Sequence, residues 1–104
     1  MAVAYQSKLE SESTNMLFDA ILALENREDC YRFFEDLCTV SELLAVSQRF
    51  EVAYLLAKGT TYHEIAAQTG ASTATISRIN RCLNYGADGY KLVLERLAVK
   101  RGEE

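Results

Sequence analysis

The chain contains no proline and no tryptophan, only five glycines and a single histidine, His63, in 104 residues. A fold of short strands needs Gly, Pro and Asn-Gly turns to join them, so a sheet has little to build on here. The cysteines, Cys30, Cys38 and Cys82, are odd in number and lack Cys-x-x-Cys spacing. A disulfide scaffold is therefore not expected, and one histidine cannot complete a zinc site with them in any familiar arrangement. No apolar run approaches the roughly 18 residues that suggest a membrane span. The opening MAVAYQSKLE lacks a basic start, an apolar stretch and a small-residue cleavage site, so secretion is disfavoured and the expected location is the cytoplasm.

What is present, 49% apolar and 25% charged residues, is the composition of a folded domain. The length has room for one core, and residues 1–104 read as a single domain. The net charge of −4 argues at first against nucleic acid, which favours a basic footprint. That charge is unevenly spread. Residues 1–46 hold nine acids against three bases, a net of −6, and residues 47–104 hold eight bases against six acids, a net of +2. From Lys58 to Cys82 the sole acid is Glu64, beside Lys58, Arg78 and Arg81. A phosphate-facing surface is therefore confined to the second half.

Apolar residues recurring every three to four positions predict an all-α domain punctuated by its glycines. A first helix is expected after the polar SESTN run, with Met16, Leu17, Ala20, Ile21 and Leu24 on one face and an end near Asn26; the residues before it read as an arm. A second, from about Glu28 to Leu37, places Cys30, Phe33, Phe34 and Leu37 on one stripe, with Cys30 and Cys38 expected as small buried hydrophobes. Thr39 and Glu42 have capping-box spacing and open a third helix that runs to Gly59. Its Leu43, Leu44, Val46, Phe50, Val52, Ala53, Leu55 and Leu56 occupy more than one face, so it must be covered on several sides. A second subunit can supply that cover, with helices 13–58 as the dimerisation core; the alternative is a central helix in a compact monomer. Two short helices follow, capped at Thr61 and Ser72 and separated at Gly70, and a last one carries Tyr90, Val93, Leu94 and Leu97.

The stretch 62–85 has the spacing of a helix-turn-helix. Ala66 is small where the second helix crosses, Gly70 allows the turn, and Ile65, Ile76 and Ile79 fill the wedge. Ser72, Thr73, Ala74, Ser77, Arg78 and Arg81 then face outward, small near the helix start and basic farther along. Small side chains allow close approach to base edges, while arginines reach phosphate or guanine. The candidate DNA contacts are Lys58, His63, Ser72, Thr73, Ala74, Thr75, Ser77, Arg78 and Arg81. The competing reading is a helical hairpin that docks on protein, with its arginines simply solvated. An enzyme is not expected: His63 and Glu64 are adjacent on a helix and point in different directions, and the serines and threonines are accounted for as caps.

The segments CYRFFEDLCT, QRFEVAYLLAKG, TYHEIAAQTGASTATISR and RCLNYG carry a resemblance. The stretch 36–85 resembles the Trp repressor superfamily, and the whole chain resembles its YerC/YecD branch of small bacterial proteins. The resemblance implies a six-helix, intertwined homodimer whose recognition helices enter successive major grooves about 34 Å apart on a near-palindromic operator. It also implies a candidate effector pocket. In the Trp repressor an amino-acid corepressor lies between two arginines that align with Arg49 and Arg78, below a threonine aligned with Thr39. The departures are Ile79 in place of a glycine beside the indole, Cys82 in place of a serine, and Asp36 and Cys38 in place of leucines. Ile79 would take up the volume of an indole, so tryptophan is not the expected ligand. Asp36 would favour a more polar or cationic amino acid, and the branch is associated with control of amino-acid biosynthesis. The function implied is a sequence-specific transcriptional repressor, associated with the nucleoid, with a small amino-acid corepressor as a candidate cofactor. The alternatives are a repressor whose pocket Ile79 already fills, and a dimeric protein-interaction adaptor with a vestigial helix-turn-helix.

Overall fold

The structure, a computed structural model, describes residues 5–102. Six helices account for the regular structure: α1 (Glu12–Leu22), α2 (Arg27–Leu37), α3 (Val40–Ala57), α4 (Tyr62–Thr69), α5 (Thr73–Tyr85) and α6 (Gly89–Lys100). No strand occurs among the described residues, and the fold is all-α. The chain divides into two compact units, one ending at Val40 and the other beginning at Ser41.

In the first unit α1 begins inside the SESTN run rather than after it. The reason is local: the Ser11 side chain accepts from Thr14 N at 3.0 Å and caps the helix there. The helix also stops at Leu22, short of Asn26, because Asn26 is committed to the next helix, its side chain accepting from Asp29 N at 2.9 Å. The Asp29 carboxylate in turn accepts from Glu25 N at 3.0 Å, which tightens the link between the two helices. On α2, Phe33 and Phe34 are half-buried and meet edge to face, ring centroids 5.5 Å apart. The expectation of buried cysteines fails in this chain: Cys30 is exposed and Cys38 half-buried. Neither α1 nor α2 contains a buried residue.

The second unit holds the core, formed by Val52, Ala53, Ile65, Ala71, Ile76 and Ile79, with Leu55, Leu56, Ala66 and Tyr90 packed against it. α3 ends as expected at Gly59. Its φ of +85° is left-handed, Gly59 N donates to Leu56 O at 3.0 Å, and Thr60 N donates to Leu55 O at 3.1 Å, the paired bonds of a Schellman turn. Gln48 Nε2 donates to Thr69 O at 3.1 Å and ties α3 to the end of α4. Of the two glycines before the end of α6, only Gly86 lies in the break between α5 and α6. Gly89 is already helical, and the left-handed residue is Asp88, at φ +65°. Aspartate is among the few side chains that tolerate this region. At Gly86 the backbone folds so tightly that a Cβ would collide with the Cys82 carbonyl oxygen.

Candidate nucleic-acid interface

The helix-turn-helix is assembled from both ends of its turn. Thr61 caps α4, its Oγ1 accepting from Glu64 N at 3.2 Å. α4 stops at Gly70, whose φ of +76° is the left-handed conformation that glycine takes without steric cost. Thr69 Oγ1 donates to Ile65 O at 2.8 Å and accepts from Ala71 N at 3.1 Å, bracing the turn from inside. Ser72 then caps α5, accepting from Thr75 N at 3.1 Å. Ile65 and Ile76 are fully buried, Ile79 is 3% exposed, and Ala66 is half-buried, as the wedge requires.

With that face turned inward, Ser72, Thr73, Ala74, Ser77, Arg78 and Arg81 are all exposed. Thr75 departs from the set. It is half-buried, and its Oγ1 accepts from Ser72 Oγ at 3.0 Å, so its hydroxyl serves the cap. α5 contains two arginines and no acidic residue. Neither Arg78 nor Arg81 forms an ion pair with another described residue. His63 is exposed in the first turn of α4. Lys58 follows α3, its Nζ 3.3 Å from Tyr54 Oη and 5.0 Å from the centre of that ring. The ammonium thus rests on an aromatic shelf while still facing solvent.

The candidate effector residues fall in different places. Asp36 on α2 and Thr39 lie in the first unit, and Arg49 on α3 with Arg78 and Cys82 on α5 lie in the second; all five are exposed. Among the described residues no group of three or more His, Cys, Asp or Glu side chains is placed to hold a metal ion. Tyr85, also exposed, lies on the same line of α5 as Ala74, Arg78 and Arg81.

A capped helix pair with a left-handed glycine between its helices and an exposed, basic second helix defines a helix-turn-helix of the DNA-binding kind. The family model of the Trp repressor protein matches residues 12–98, and the chain belongs to that family. It is 54% identical over 90 residues, 86% of each chain, to the uncharacterized protein YerC of Bacillus subtilis (strain 168). A solved TrpR-like protein from Eubacterium eligens ATCC 27750 superposes with a TM-score of 0.85 at 57% identity, over 88% of this chain and 94% of that one. A candidate Trp repressor from Staphylococcus aureus gives a TM-score of 0.83 at 53% identity, over 86% and 90%. The protein thus falls in the YerC, TrpR-like branch of a family of DNA-binding regulators, not of enzymes. Among the described residues no helix is long and apolar enough to cross a membrane.

Proposed function

We propose that this chain is a homodimeric, sequence-specific transcriptional repressor that acts in the cytoplasm, on the nucleoid, by laying α5 of each subunit in a major groove. The observation that carries this reading is the acid-free outer face of α5, with Arg78 and Arg81 exposed and unpaired opposite a fully packed inner face. Ser72, Thr73, Ala74 and Ser77 are short enough to bring the backbone to the base edges, and the two arginines supply guanine or phosphate contacts. Lys58 and His63 flank them.

Dimerisation enters through unburied apolar surface. Leu22 is 82% exposed and Leu44 64% exposed, with Met16, Phe18, Val40 and Val46 also open to solvent. Isolated exposed leucines are ordinary; several such side chains on α1, and again on α3, are apolar surface of the kind a second subunit covers. A second subunit also accounts for the pairing of reading helices that a two-fold operator needs.

The burial of Ile79 favours the form of this regulator that binds without a corepressor, because the angle between α4 and α5 is then set by their own apolar packing. Arg49, Arg78 and Cys82, with Asp36 and Thr39, are the residues an amino-acid effector would use in the other form. The test is retention of genomic fragments in a gel, against excess mixed-sequence DNA and with each amino acid added in turn. Arg81→Ala should weaken binding on every sequence and flatten the salt dependence by about one unit for each phosphate that this guanidinium neutralises. A slope unchanged by that substitution removes Arg81 from the interface. Absence of any specific fragment points to the adaptor reading instead. A shift that appears only with an added amino acid restores the corepressor.

A further inference from the structure

The reading face of α5 extends farther than its arginines. Ile76, Ile79 and Leu83 are the buried side chains of this helix and define its inner face. At about 100° per residue, the line opposite them runs through Ala74, Arg78, Arg81 and Tyr85, and over about three turns it drifts by only about 20°. Tyr85, the last residue of α5, is 86% exposed, more than any other large apolar or aromatic side chain described. Its hydroxyl makes no hydrogen bond to another described residue. The adjacent Asn84 behaves differently: its amide donates to Asn80 O at 2.9 Å and to Asn80 Oδ1 at 3.3 Å, and so is turned back onto its own helix.

The order of side chains along this line has a geometric sense. A straight helix whose first residues touch base edges must leave the curved groove at its other end, where the phosphate backbone is closer than the bases. Side chains lengthen from the methyl of Ala74 at the start of the line to the guanidiniums of Arg78 and Arg81 and the phenol of Tyr85, all three long enough to span to a phosphate. A protein partner fits this end less well, because α5 offers two unpaired cations and no acid along its length. A phosphate-bearing partner suits that charge, and tyrosine is among the neutral side chains that donate hydrogen bonds to phosphate.

We infer that Tyr85 is a further DNA-contacting residue, its phenolic hydroxyl donating to a backbone phosphate at the outer edge of each half-site; this rests on the DNA-binding reading above. The interaction carries no charge. That neutrality separates it from the arginines in a measurable way.

The experiment uses the full chain, a retained genomic fragment and a mixed-sequence duplex of equal length. Tyr85→Phe keeps the ring and removes the donor, so binding to both duplexes should weaken about three- to ten-fold per half-site, the range of one neutral hydrogen bond, or about ten- to a hundred-fold for a dimer that loses two. The salt dependence should stay that of the wild type, because every cation is retained, whereas Arg81→Ala flattens it. Replacing the outer phosphates one at a time by methylphosphonate should reveal one whose neutralisation weakens the wild type by a similar factor and leaves Tyr85→Phe unaffected. Wild-type affinity in Tyr85→Phe would overturn the inference while leaving the DNA-binding reading intact. A changed sedimentation coefficient for Tyr85→Ala would also overturn it, by assigning the ring to an interface between subunits. Failure of the wild type itself to bind DNA would remove both.

Discussion

The two units of this chain solve the burial problem differently. From Ser41 onward, helices close on one another around Val52, Ala53, Ile65, Ile76 and Ile79, and the unit has its own core. Up to Val40 there are two well-capped helices and not one buried residue on either. The hydrophobic effect rewards apolar area removed from water, so the second unit carries its driving force within one chain, and the first exposes apolar surface that a partner can cover. One sequence thus holds a unit that builds its own core and a segment that builds none.

The largest expected effect breaks the self-sufficient side. Ile76→Ala removes a fully buried branched side chain and should cost about 2 to 5 kcal/mol, read as a fall in the urea midpoint with the slope unchanged. A loss under about 1 kcal/mol would mean that this core is not what holds α5 in place. Next, Leu22→Glu strikes the other unit at a side chain that touches little in its own chain. It should raise the dimer dissociation constant about ten- to a hundred-fold in sedimentation equilibrium, about 1.4 to 2.8 kcal/mol, without changing the helical signal. An unaffected dimer would place the interface elsewhere. The smallest effect sharpens the comparison within the reading head. Ser72→Ala deletes the cap of α5 and should lower the unfolding free energy by about 1 kcal/mol, since Thr75 N is left without its acceptor.

Much of the second unit was legible because its signals are local. Thr61, Gly70 and Ser72 each act within three or four residues of themselves, and the isoleucine spacing records which side of a short helix faces in. The sequence is ambiguous where two local signals compete. Ser11, Ser13, Thr14 and Asn15 of the SESTN run are all cap-forming residues, and backbone geometry selects the first; Asn26 reads equally well as an end and a beginning. Asp88 is masked in the sequence by the glycine beside it, although both residue types can turn the chain left-handed. Cys30 was misplaced for a different reason: periodicity assigns it to the stripe of Phe33 and Phe34 but does not say how far along that stripe burial extends. In the candidate interface Ser77, Arg78 and Arg81 were legible from their register opposite the isoleucines. Tyr85 was not, because a neutral ring at a helix end carries no charge signal and reads as readily as a core aromatic.

The caps of the two reading-head helices have an electrical consequence. Thr61 and Ser72 satisfy orphan amide hydrogens with neutral hydroxyls, where an aspartate would serve the backbone equally well. An aspartate would also cancel the partial positive pole that aligned peptide dipoles gather at a helix start. α4 still carries Glu64 in its first turn, but α5, begun by an alcohol and with no acid in its first turn, stays properly wound and presents no anion of its own at its leading tip, so the peptide field there is left for whatever negative group approaches.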